Sequence, residues 1–190
     1  NQNCTIANKE DVLKLFRKYN VQLTFTGHIH VQHIATCEKG KYPIYDIATS
    51  CLAVYPQKYG ILKYSSTQGF HYRTAQVDLE RWARENGIPD EEIKRFREYS
   101  KSFFSEAALR RAHNLLRNLS DYSGEEKQLM AETLATLDVE YFQGTLNIDD
   151  FKNTPGYRLL EKANPCILKR YQAAGYKNIN NLELSVPIIR

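Results

Sequence analysis

Methionine and tryptophan occur once each among the 190 residues, and long apolar runs are missing altogether. The longest mainly apolar stretch, Ile47 to Tyr55, falls far short of the roughly 20 residues a membrane-spanning helix needs. No charged-then-apolar leader is present, and the sequence opens on Asn1, so a targeting region is not in this chain and localisation stays unknown. Cysteine is sparse and unpaired in pattern. Cys4, Cys37, Cys51 and Cys166 include no C-x-x-C, which argues against a zinc ribbon or a thioredoxin-type site and leaves free thiols as the plain reading. Charge of one sign is also in short supply: the net of +4 permits an anionic substrate without demanding nucleic acid. What remains, 42% hydrophobic and 25% charged residues, is the composition of a soluble globular protein with enough apolar material for a core.

Two periodicities divide the chain. Asn8, with Asp11 in the first turn, opens a short helix whose stripe is Val12, Leu13, Phe16 and Tyr19, and Asn20 suits the left-handed residue that ends it. Strand-like runs follow at Val21–Thr26, Val31–Cys37, Tyr42–Ala48, Tyr59–Ser65 and Gly69–Val77, punctuated by Gly40, Pro43, Pro56, Gly60 and Gly69. Antiparallel strands or hairpins are expected there. From about Leu79 the pattern becomes helical. Asp90 caps a helix carrying Ile93, Phe96, Phe103 and Phe104, which continues or kinks toward Leu109, Ala112, Leu116 and Leu119. Ser123 and Glu126 form a capping box ahead of Met130, Leu134, Leu137 and Tyr141. Thr154-Pro155 and Asn164-Pro165 read as caps with proline at the first helical position, and Gly175 stops the last helix. The expected class is α+β, with residues 1–78 strand-rich and residues 79–190 a small helical bundle. All of the net charge lies in the first part.

Chemistry concentrates in Thr24-Phe25-Thr26-Gly27-His28-Ile29-His30. In extended backbone, residues two apart share a side, so the two imidazoles can converge, and imidazole suits zinc, iron and manganese. Gly27 allows a sharp turn. An isolated H-x-H pair nonetheless serves packing or the surface more often than a metal.

The block Gly27-His28-Ile29-His30 resembles the last conserved block of the calcineurin-like metallophosphoesterases, in their bacterial phosphodiesterase and phosphohydrolase forms. The helix Lys9–Tyr19 and the strand Val21–Thr26 lead into it as they do in that family. Pro43-Ile44-Tyr45-Asp46-Ile47-Ala48-Thr49-Ser50, Tyr55-Pro56 and Tyr59-Gly60-Ile61-Leu62 follow it in similar fashion, so the likeness spans roughly residues 5–78. The resemblance implies the C-terminal part of an αββα metallophosphoesterase sandwich followed by the helical bundle. It also implies His28 and His30 as ligands to a pair of divalent ions (Mn, Fe or Zn), with Gly27 at the turn and a metal-bridging hydroxide attacking a phosphate ester, preferably a diester and conceivably a nucleotide. The family's other ligand blocks are missing: no Gly-Asp or Asn-His dipeptide occurs, and no histidine precedes His28. The expectation is therefore a C-terminal portion of such an enzyme, inactive or nearly so alone, with no properly bound metal and an incomplete sheet buried by a second copy, by the helical tail or by rearranged strands.

Other residues have plainer readings. His33 is expected at the surface, His71 and His113 solvated or hydrogen-bonded, and Asp46 at a turn or strand edge. Arg110, Arg111 and Arg117 can meet phosphate, but Glu106 four before Arg110 marks an ordinary wet helix face. Tyr55, Tyr59 and Tyr64 can line a substrate mouth or pack strands. The alternative function is a non-catalytic interaction or oligomerisation module built around the helical tail. Scattered basic residues without a recognised signature argue against nucleic acid.

Overall fold

The computed structural model describes residues 6–175 and 181–188. Its class is α+β. The chain runs α1 (Lys9–Lys18), β1 (Leu23–Thr26), β2 (His33–Cys37), β3 (Ile44–Ala48), β4 (Lys58–Ser65) and β5 (Gly69–Gln76), each within a few residues of the run that announced it. Helices then follow as α2 (Leu79–Glu85), α3 (Glu91–Lys94), α4 (Phe96–Leu116), α5 (Gly124–Gln143), α6 (Pro155–Ala163) and α7 (Lys169–Gly175). A last strand, β6 (Glu183–Val186), was not expected. Cys4 lies outside the described residues; Cys37, Cys51 and Cys166 are free thiols.

Two three-stranded sheets form, in the orders β1-β3-β2 and β4-β5-β6. The pairing differs from the all-antiparallel expectation at one place. β3 inserts between β1 and β2, so it runs antiparallel to β2 but parallel to β1. Alternation explains how the sheets meet. Ile34 on β2 and Ile47 on β3 bury their side chains against Tyr72 on β5, with Leu184 of β6 packed beside them. The face expected to be buried by a second copy, by the tail or by rearranged strands is covered by the second sheet, one strand of which, β6, comes from the tail.

The helical unit is assembled by its termini and by small residues. Asp90 caps α3 through the Glu92 and Ile93 amides, and the helix breaks at Arg95 (φ −124°), so the long helix predicted from Asp90 restarts as α4. α4 buries Ser100, Phe104, Ala108, Ala112 and Leu116, a repeat of about four that lays one narrow, mostly small face on α5. The capping box forms, with Ser123 Oγ accepting from the Glu126 amide and the Glu126 carboxylate accepting from the Ser123 amide. Gly156, in the first turn of α6, lets that helix approach α5 closely: a Cβ there would stand 2.4 Å from the Leu129 carbonyl oxygen. Met130, Leu134, Leu137, Ile148, Tyr157, Leu160 and Tyr171 form the resulting core.

Between strands and helices sits a third cluster of Tyr55, Phe104 and Val139, with Phe142 against it. The Phe104 and Phe142 rings are 4.9 Å apart. Polar contacts reinforce this seam. Lys58 Nζ donates to the Gln143 carbonyl at 2.7 Å, and the Gln143 amide nitrogen donates to the Tyr55 hydroxyl. Burial lowers the Lys58 pKa below its ordinary value.

Candidate functional site

The loop that carries the two histidines is not an extended strand. β1 ends at Thr26, and the Ile29 amide then donates back to the Gly27 carbonyl at 3.0 Å across His28, whose φ is 76°. An i to i+2 bond at that φ matches the rare γ-turn. His30 is also left-handed, at φ 63°. The sharp bend assigned to Gly27 is therefore made by the histidines, with Gly27 supplying the acceptor. Two imidazole-bearing residues held there cost about 1–3 kcal/mol each, strain that clusters where a structure over-determines a functional loop. The premise that extended backbone aligns the rings fails with the strand, and both residues are exposed.

What over-determines the loop is Gln32, two residues on and only 1% exposed. Its amide nitrogen donates to the Asn181 carbonyl at 2.7 Å, its side-chain oxygen accepts from the Tyr72 hydroxyl at 3.3 Å, and its backbone amide reaches the Phe142 carbonyl at 3.4 Å. Asn181 in turn accepts from the Ile34 amide at 2.8 Å. The end of α5 comes in close because Gly144 is left-handed (φ 75°), where a Cβ would meet the Gln32 carbonyl at 2.6 Å. A buried polar group joined at every edge holds its neighbours in register. Gln32 thereby fixes His30 relative to the helices.

His30 joins residues of the helices in lining a cleft of about 750 Å³. Ile29, Val54, Phe104 and Phe142 give it apolar walls, and Arg111, Asp138 and Arg170 give it charge. Asp138, 7% exposed, is the centre of this cluster. Its Oδ1 accepts from Arg170 at 2.7 Å and from the Tyr171 hydroxyl at 2.8 Å, and its Oδ2 faces Arg111 at 3.8 Å. Arg170 also donates to the Tyr171 hydroxyl. Burial, then the Asp138 charge, pushes the Tyr171 pKa well above its ordinary value, so the hydroxyl remains a donor.

The residues singled out from sequence separate at this point. His30 lines the cleft; His28 is not among its lining residues. Arg110 pairs with Glu106 at 3.7 Å as on any wet face, but Arg111 beside it turns into the cleft. Asp46 sits within β3, not at a turn, and accepts from Thr24 Oγ1 at 2.8 Å and Thr26 Oγ1 at 3.0 Å, tying β1 to β3 ahead of the histidine loop. His33 is half-buried instead of exposed; burial lowers its pKa, against opposing contributions from Asp46 and Asn181. His71 bonds Ser185 at 3.2 Å and lies 3.4 Å from Glu183, while His113 is exposed. Tyr55 packs in the seam, and Tyr59 and Tyr64 are exposed on β4. Asp138, Arg170 and Tyr171 went unnoticed. A signal existed: Asp138 falls on the buried stripe of α5, four after Leu134, where a carboxylate needs partners.

Among the described residues no group of three or more His, Cys, Asp or Glu side chains could hold a metal ion. His28 and His30 offer two imidazoles, fewer than the four ligands a closed centre takes. Among the described residues no helix is long and apolar enough to cross a membrane.

Fold and cleft together define an α+β protein with a cationic, apolar-walled cleft lined by its helices and by a strained histidine loop. The model of the family described as the C-terminal domain of cyclic nucleotide phosphodiesterase matches residues 78–180, more than half of the chain, and the chain belongs to that family. It is thus phosphodiesterase-related. No curated protein matches the sequence. The match corrects the resemblance to calcineurin-like metallophosphoesterases: the family found is a different one and rests on the helical residues, not on Gly27-His28-Ile29-His30. A bacterial origin and a metal-dependent mechanism, both implied by that resemblance, lose their support with it.

Proposed function

We propose that this chain forms one side of a phosphodiester-hydrolysing site, in which the ester occupies the cleft between His30 and the arginines of the helical unit. The observation that carries the reading is that Arg111 and Arg170, within the family-matched residues, line the same cleft as His30 from the strand-rich part. Guanidinium forks suit phosphoryl oxygens, and the Phe104 and Phe142 walls suit the organic part of an ester.

His28 and His30 are proposed as two ligands to a divalent ion. Two imidazoles do not complete such a centre, so no reaction step is drawn through it. The chain's own contribution is to bind the anion, orient it and exclude water along the apolar walls. The test is hydrolysis of bis(4-nitrophenyl) phosphate by the parent with added manganese. His30→Ala is expected to lower kcat/KM by at least about tenfold, and equal rates would remove His30 from the site.

One observation favours the alternative of a partner-binding module: Tyr99 and Phe103 stack 6.2 Å apart on α4, with Phe103 60% exposed. An unchanged His30→Ala enzyme would shift weight to that reading.

A further inference from the structure

The two arginines of the cleft are not equivalent, and we propose that Arg111 is the arm that takes the anion while Arg170 is held as fixed positive scaffolding. This deepens the phosphodiesterase-related reading and rests on it. Arg170 is tethered: through Nη2 it donates to Asp138 Oδ1 at 2.7 Å and to the Tyr171 hydroxyl, and its guanidinium lies 4.5 Å from the centre of the Tyr171 ring. Arg111 is not. Its nearest acidic oxygen, Asp138 Oδ2, stands at 3.8 Å, beyond hydrogen-bond reach, and its guanidinium lies 5.6 Å from the centre of the Phe104 ring. Among the described residues no hydrogen bond from that guanidinium is formed, although an arginine carries five N–H donors in a planar fork.

Charge and geometry agree on the consequence. One carboxylate between two guanidiniums leaves the cluster with a net positive charge, and apolar walls strengthen its field on anything entering the cleft. A cation–π contact with the Phe104 ring steadies the Arg111 guanidinium without consuming its donors. A phosphoryl group meeting that fork gains two parallel charge-assisted bonds, which lysine cannot reproduce. Arg110, next in sequence, already faces Glu106 at 3.7 Å and serves as an internal control for plain surface charge.

The experiment is calorimetric titration of the chain with inorganic phosphate in excess EDTA, so that binding is read without any metal. Arg111→Ala is expected to weaken phosphate binding at least about tenfold, equivalent to about 1.4 kcal/mol. Arg111→Lys should fall between, and Arg110→Ala should stay within about twofold of the parent. The proposal is overturned if Arg111→Ala binds like the parent, if Arg110→Ala weakens binding as much, or if the unmodified chain takes up no phosphate at about 10 mM, where even millimolar affinity is visible. Both arginines are surface side chains, and circular dichroism confirms folding of each variant. The expected pattern supports the clamp even where no diester is hydrolysed with manganese, a result that would count against the phosphodiesterase reading alone.

Discussion

Replacing Asp138 by alanine removes the carboxylate around which the cleft's cationic wall is built. The Tyr171 side chain is fully buried, and its hydroxyl donates to Asp138 at 2.8 Å, so its lost acceptor costs about 1–3 kcal/mol. The Arg170 pair adds little more. That side chain is 56% exposed, and an ion pair so wet contributes about 0–1 kcal/mol. Asp138→Ala is therefore expected to destabilise the chain by about 1–4 kcal/mol. Asp138→Asn keeps an oxygen for the tyrosine and loses only the charge, which sets its cost near 1 kcal/mol. Urea unfolding followed by far-ultraviolet circular dichroism reads both. With a slope of roughly 2 kcal/mol per molar, the alanine midpoint moves down by about 0.5–2 M and the asparagine midpoint by about 0.5 M at most. The reasoning is refuted if alanine shifts stability by less than about 0.5 kcal/mol, or if asparagine costs as much as alanine.

Two further predictions concern the scaffold. Gly156→Ala places a methyl against the Leu129 carbonyl, backbone that cannot rotate away, so overpacking is expected to destabilise the chain by about 1–3 kcal/mol in the same urea assay. His33, whose native pKa lies below its ordinary 6.5, binds protons less readily folded than unfolded; stability should fall as pH drops from about 6.5 toward the native value and then level off, and His33→Gln should flatten that slope in midpoints measured across the range.

Local chemistry made much of the fold readable. The Ser123–Glu126 capping box, the Thr154 and Asn164 caps and left-handed Asn20 each satisfy a requirement of the adjacent backbone, and such requirements leave short-range traces. β6 left a trace that was passed over: Leu182-Glu183-Leu184-Ser185-Val186 alternates apolar and polar residues, but the run is short and its partner β5 lies more than a hundred residues earlier. The histidine loop was found for its residue types but misjudged in shape, because a left-handed conformation at His28 and His30 is imposed by contacts such as those of Gln32 with Asn181 and Phe142. The cleft was the least legible part. Arg111 and Arg170 lie far apart in sequence and meet only through Asp138, so a single helix face shows Arg111 as one more solvated charge.

His30 and Arg111 line one cleft, and the proposed function has them act on the same ligand. Measuring kcat/KM for bis(4-nitrophenyl) phosphate in the parent, in His30→Ala, in Arg111→Ala and in the double variant tests it most directly. Groups sharing one phosphate are coupled, so the double variant is expected to lose less than the two single losses combined, by at least about 1 kcal/mol. Strictly additive losses, or no loss from either change, would contradict a shared site.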